Sequence, residues 1–333
     1  MAFKDIPGNA RVKKILRMAL AKGRVPNSLL FCGPEGVGKR QVALNLAKAL
    51  NCRTKTDDAC DACPPCRAID YDSKSPENNS FPDVMEIARE KKEVKIEQTR
   101  FLKQMAYLRP MTARKRVFIV HEADKMSEES ANSVLKVLEE PPFFTHIVLI
   151  TENPHRIPPT ILSRCQVLNF SSIAKEEIEK ILIDEDYPED QARVLSLLAG
   201  GNLERALGLE WEEVQGRRRE AWDLFLSLLR REESSPFLQK FALSQRHIIE
   251  EEFKGILEMF ASFCRDLILI KEKGDSRWLL NPDYEERLRE AESGLSLRKA
   301  MESLEHIDDA ITAFDKSMNT NLLASAFFLK FEG

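Results

Sequence analysis

Gly33-Pro34-Glu35-Gly36-Val37-Gly38-Lys39 satisfies the G-x-x-x-x-G-K pattern of a loop that wraps a phosphate. In such a loop the glycines let backbone N–H groups turn inward, the next helix N-terminus adds positive potential, and the lysine reaches the terminal phosphates. The next position breaks the pattern. Arg40 stands where a Ser or Thr hydroxyl would ligate Mg²⁺; a guanidinium has no lone pair for the ion and a charge that repels it. The run Val117-Phe118-Ile119-Val120 should deliver a metal-holding Asp at its end, yet His121 follows, then Glu122-Ala123-Asp124. Mg²⁺ prefers hard oxygen ligands, so a neutral imidazole is a poor replacement. With both grips altered, the loop is expected to hold ATP or ADP weakly without turnover, or to stay empty.

A second constellation is Cys52-x7-Cys60-x2-Cys63-x2-Cys66. Four thiolates around one tetrahedral ion make a closed structural Zn²⁺ site with no open position for water, so no chemistry is assigned to it. Reduced free thiols are the plain alternative. The remaining cysteines, Cys32, Cys165 and Cys264, are scattered and read as buried thiols. Arg164, in Ser163-Arg164-Cys165, reads on its own residues as a solvated surface arginine. The triplets Arg114-Lys115-Arg116 and Arg217-Arg218-Arg219 also read as solvated charge, with DNA phosphate contact the sharper but less favoured account.

The elements that position these residues alternate in period. Val12, Ile15, Leu16, Ala19 and Leu20 have helical spacing, and Asn27–Cys32 is an apolar run ending at the glycine loop. Val42, Ala43, Leu46, Ala47 and Leu50 return to a helix. Further apolar runs at 116–120 and 146–151 bracket a helix-like segment, 127–140, stopped by Pro141-Pro142. Strands alternating with helices predict an α/β domain, a parallel sheet with helices on both faces. Beyond about residue 170 the patterns are helical. Ile249, Phe253, Ile256, Phe260, Phe263 and Leu267 form one apolar stripe, more in keeping with an internal core face than with an interface. The expected division is 1–170 for the α/β domain with the cysteine module at about 50–68, a small helical lid at 171–209, and a helical bundle at 210–333.

The 333 residues suggest two or three domains. Fifty Lys and Arg against 54 Asp and Glu give a formal charge of -4, which argues against nucleic-acid binding by bulk charge while leaving room for a local basic face. The 13 glycines are few and favour helix. The start lacks the apolar core of a signal peptide, and no run approaches a membrane span. A soluble cytoplasmic protein with no membrane partner is expected, and clustered reduced cysteines fit that compartment.

The run from Phe3-Lys4-Asp5-Ile6 through the phosphate loop, the four cysteines, Asn132-Ser133-Val134-Leu135-Lys136-Val137-Leu138-Glu139-Glu140-Pro141-Pro142 and Ser163-Arg164-Cys165 resembles the AAA+ subunits of the bacterial sliding-clamp loader. The tail motif Ser317-Met318-Asn319-Thr320-Asn321-Leu322-Leu323 is similar to the family's collar. The resemblance implies an AAA+ core with a zinc-binding insertion, a small helical lid and an all-α collar. Length, the two degraded magnesium positions, and Glu204 where the ATP-hydrolysing gamma subunit has a lid arginine favour a non-hydrolysing member. It further implies a five-membered ring with gamma/tau and delta subunits, reaching the sliding clamp and primer–template DNA through the complex. Arg164 would then enter a neighbour's ATP site as a catalytic finger, while Gly33, Gly36, Gly38 and Lys39 keep a degenerate nucleotide loop. Thr151 matches a sensor position with no bound metal to sense. The alternatives are an active gamma-like ATPase and a stand-alone zinc and nucleotide binder.

Overall fold

The structure is a computed structural model and describes residues 2–54, 57–69, 81–90, 93–230, 246–292, 296–315 and 326–327. By internal packing the chain divides into two compact units, residues 1–186 with 198–207, and residues 187–197 with 208–333. Among the described residues no helix is long and apolar enough to cross a membrane.

The first unit is built on a five-stranded parallel sheet. Its strands are β1 (Ser28–Cys32), β2 (Val84–Ile87), β3 (Arg116–Val120), β4 (Thr145–Thr151) and β5 (Gln166–Asn169), in the spatial order β2-β3-β4-β1-β5. The three apolar runs of the sequence are the three central strands. They are buried along their whole length, as a strand covered on both faces must be. Alternate residues serve opposite faces. Leu29, Phe31, Val117, Ile119, Val148 and Ile150 pack in one core with residues of α1 (Ala10–Ala21) and α2 (Lys39–Asn51). Leu30, Cys32, Phe118, Val120, Ile147 and Leu149 pack in the other. That second core also holds residues of α4 (Ile96–Ala106), α5 (Glu128–Glu139) and α6 (Pro159–Leu162); α3 (Pro64–Ala68) lies in the cysteine insertion. Ser127 caps α5 by accepting from the Ser130 N–H at 3.2 Å, and Glu128 and Glu129 sit in its first turn, both stabilising at a helix N-terminus.

Two strands went unpredicted. β2 and β5 are four-residue edge strands, and β5 is largely exposed, so neither shows the continuous apolar run that marks a central strand. β2 is anchored by a pair that sequence reading misplaced. Arg116 is 1% exposed and donates to the buried Asp83 carboxylate from Nη2 at 2.7 Å, and to the carbonyls of Met105 and Leu108. Asp83 also accepts from the N–H groups of Met111, Thr112 and Ala113. Arg218 in the second unit is likewise 1% exposed, paired with Asp283 and set 4.9 Å from the Tyr284 ring. The solvated-charge reading therefore fails at Arg116 and Arg218. A guanidinium can be buried when every donor finds an acceptor, and composition alone does not disclose the acceptors.

After α7 (Lys175–Asp184), α8 (Glu189–Leu198) and α9 (Leu203–Gly208), the long helices are Trp211–Arg230, Arg246–Lys271 and Leu297–Asp315. The predicted stripe is core: Phe253, Phe260, Phe263 and Leu267 are at most 1% exposed, and Phe263 meets Trp222 edge-on at 5.0 Å. The side chain of Ile249 and the tail motif 317–323 lie outside the described residues.

Candidate nucleotide cleft and cysteine centre

The phosphate loop bridges β1 and α2 at the C-terminal edge of the sheet, where open α/β sheets bind their ligands. Two of its glycines are required by close approach. At Gly33 (φ +153°) a Cβ would come within 2.4 Å of the Phe170 carbonyl oxygen, and at Gly36 (φ +65°) within 1.6 Å of Asn202 Oδ1. Asn202 immediately precedes α9, and the Leu203 N–H donates to Gly36 O at 3.2 Å. The segment before α9 thus closes directly onto the loop, with Gly38 at the start of α2.

Lys39 does not reach outward. It is 6% exposed, and its ammonium donates to the loop's own Gly33 carbonyl at 2.7 Å and to Pro34 O. Burial lowers its pKa, while Glu152 and Glu35 pull it back up.

The two altered metal positions meet on one residue that sequence reasoning missed. Arg40 grips Glu86 with two donors, Nε to Oε2 at 2.7 Å and Nη2 to Oε1 at 3.0 Å. His121 Nε2 lies 2.8 Å from the same Oε2. The Glu86 side chain is only 5% exposed. Burial raises its pKa, and the hydrogen bonds from His121 and Arg40 more than offset this, holding the carboxyl below its ordinary range. Arg40 and His121 are thereby tied together through Glu86, and the Arg40–Glu86 contact is a bidentate guanidinium–carboxylate pair, the stronger kind of ion pair. Glu86 escaped notice because it lies on the unrecognised edge strand β2, 46 residues from Arg40.

The cleft beside this pair has a volume of about 170 Å³, below the roughly 300–1,000 Å³ of ordinary ligand pockets. Lys39, Arg40 and His121 line it together with the carboxylates Glu35, Glu122, Glu152 and Glu204. Burial raises the Glu152 pKa; Lys39 opposes the rise, and nearby Glu35 adds to it. Glu122 is bound to Arg89 at 2.8 Å. Thr151 donates its hydroxyl to Asp124 at 2.7 Å and accepts from the Asn153 N–H, so its side chain is spent on the protein itself. A wall of carboxylates is a poor host for a triphosphate.

Arg164 does not line this cleft. It sits between α6 and β5 with its side chain 30% exposed, donating to Thr160 O at 2.9 Å and lying 3.4 Å from Glu139. Its Nε is buried without a partner among the described residues. The four cysteines do come together. The Sγ atoms of Cys52, Cys60, Cys63 and Cys66 lie within 4.8 Å of one another, close to the roughly 3.8 Å that four sulfurs at about 2.3 Å from a tetrahedral ion require. Metal ligation needs thiolates. The backbone N–H groups of Ala62 and Cys63 bring the Cys60 thiol pKa down to about 6, while burial pushes that of Cys66 up. The group can hold a metal ion. Of the other cysteines, Cys32 and Cys264 are buried and Cys165 is half-buried.

A family model described as DNA polymerase III, delta subunit matches residues 8–174. The DNA polymerase III subunit delta' of Bacillus subtilis is 36% identical over 186 residues, covering 56% of this chain and 54% of the relative. The DNA polymerase III subunit tau of Escherichia coli is 36% identical over 214 residues, covering 62% of this chain and 32% of the relative. The chain thus spans about a third of that tau protein and about half of that delta' protein. Among solved structures, a gamma-subunit-related protein of Thermotoga maritima aligns over 96% of this chain and 98% of its own, at 17% identity and a TM-score of 0.41.

Proposed function

The chain belongs to the DNA polymerase III delta subunit family, and from that premise we propose that it acts as the delta-prime-like, non-hydrolysing member of a cytoplasmic clamp-loader complex. One observation carries the reading: Arg40 and His121, at the two metal positions, are both committed to Glu86. A magnesium ion would have to displace a buried ion pair and would meet the Arg40 guanidinium once there. In this reading the segment 171–209 is the lid and 210–333 the collar, joined to gamma/tau and delta subunits. Through that complex the chain serves the sliding clamp and primer–template DNA, and Arg164 is lent in trans to the neighbouring ATP site.

A second reading, a gamma-like ATPase, draws on the tau relatives and on the intact Gly33, Gly36, Gly38 and Lys39. The two readings part on one measurement. The isolated chain is expected to hydrolyse ATP at background rate with or without Mg²⁺. A magnesium-dependent rate abolished by Lys39→Ala would overturn the non-hydrolysing assignment. The assembly itself is tested by mixing this chain with gamma and delta subunits and assaying clamp loading, which should require its presence.

The cysteine centre is assigned to structural Zn²⁺, held by Cys52, Cys60, Cys63 and Cys66. When bound, the ion supplies a cross-link and no reaction, since four sulfurs leave no open position. Metal analysis of the purified protein should give near-stoichiometric zinc, and chelation should make the 57–69 segment protease-sensitive while the sheet stays folded. A zinc-free protein with that segment equally resistant would remove the assignment.

A further inference from the structure

Away from the phosphate loop, one face of α1 and the segment before it enclose a groove of about 510 Å³, well inside the range of ligand pockets. Its floor is apolar: the Phe3 ring, 1% exposed, with Ala10, Met18 and Ala21. Its rim is cationic. Lys4, Lys14 and Arg17 are exposed there and Lys13 is half-buried. Positions 10, 14, 17, 18 and 21 recur at helical spacing, so α1 presents them together.

The residues lining this rim carry more cations than carboxylates. Asp57 is the one carboxylate of the lining, and Arg17 already holds it, Nη2 at 2.6 Å and Nε at 2.9 Å. Lys13 donates to the neutral Ile6 carbonyl; burial lowers its pKa, with Glu177 and Asp58 acting the other way. Lys4 and Lys14 have no carboxylate partner among the described residues. On a chain of net charge -4, a groove with four cations and one carboxylate is a local reversal of sign.

We propose that this groove seats a short acidic peptide segment of a partner protein, its carboxylates on Lys4, Lys13 and Lys14 and one apolar side chain against Met18 and Ala21. The floor decides between a peptide and a nucleic acid. Phosphates would use the cations but leave the apolar surface bare, and base stacking needs an exposed aromatic ring, whereas Phe3 is covered. The groove shares no residue with the nucleotide cleft, so the proposal stands or falls apart from the assignment of that cleft.

The test uses the full chain and a panel of fluorescein-labelled peptides in which two or three glutamates flank one Leu, Ile or Phe. Matched glutamine peptides and a duplex oligonucleotide are titrated beside them by fluorescence polarisation. Glutamate peptides are expected to bind saturably, and at least about tenfold less tightly to a Lys4→Glu/Lys14→Glu double variant. Both positions are exposed and hold no ion pair among the described residues, so this variant should melt with the wild type. Bound peptide should also shield Lys4 and Lys14 from acetylation, read by mass spectrometry. The proposal is overturned if no peptide saturates, if binding ignores the double reversal, or if the duplex binds in preference to the peptides.

Discussion

A clamp-loader complex assembled with the Arg164→Ala chain should form normally and yet, on the proposed loan of Arg164 in trans, lose most ATP turnover at the site it would complete. The guanidinium that completes a phosphoryl-transfer site from a neighbour is worth about 10³–10⁵ in rate, or roughly 4–7 kcal/mol of transition-state stabilisation. The geometry in this chain suits such a loan. Arg164 is tethered to Thr160 O and to Glu139 at 3.4 Å, a long and partly exposed contact, and exposed pairs of this kind cost about 1 kcal/mol or less to break. The side chain is therefore half-buried and held by one weak ion pair with hydrogen bonds to Thr160 O and Ser163 Oγ. The gain on reaching a developing phosphoryl charge is several times larger. On the proposed loan the loss falls on that one site, so single-turnover measurements should expose it in full. Arg164→Lys, which keeps charge but not the planar fork, should recover little of it. Equal turnover by wild-type and Arg164→Ala complexes at matched assembly would remove this residue from the mechanism.

How far the site can be read from sequence depends on how local its signals are. The loop Gly33–Lys39 is contiguous, and its flanking strand and helix announce themselves by period. The cysteines are legible for the same reason, since ligands to one ion cluster within fifteen residues. Arg40 and His121 are legible as departures, because each replaces a residue type that the chemistry demands. Their common partner is not. Glu86 is one acid among 54 Asp and Glu, and only the parallel pairing of β2 with β3, which sets Ile87 beside Val120, places it next to His121. The same reason hides Asp83 behind Arg116. Long-range ion pairs have no sequence spacing of their own, so a buried arginine and a solvated one look alike until the sheet register is known.

That register rests on the buried pair at the entry of β2 and β3, and removing it should be among the most destructive single changes in the first unit. Asp83→Ala would leave the Arg116 guanidinium, 1% exposed, without its carboxylate. It would also strand the N–H groups of Met111, Thr112 and Ala113. Breaking one side of a buried pair costs about 3–5 kcal/mol, a large part of the total stability of most domains. The double variant Asp83→Ala/Arg116→Met should regain part of the loss, since it removes the orphaned charge. Acid titration gives an independent reading. Burial raises the Asp83 pKa, but the backbone N–H donors, Thr112 first, and Arg116 override it and bring the value down from 3.8 to about 2. A carboxyl held low in the folded state stabilises fully above its unfolded value and loses that contribution as pH falls toward the folded one. The shift corresponds to roughly 2 kcal/mol, so wild-type stability should drop between about pH 4 and pH 2 more steeply than that of the double variant. Since β2 also carries Glu86, slackening this anchor should loosen the carboxylate that Arg40 and His121 share, read as faster amide exchange in 84–87. An Asp83→Ala protein that melts with the wild type and shows the same acid slope would mean that the pair contributes nothing to holding β2, and the placement of Glu86 would need another cause.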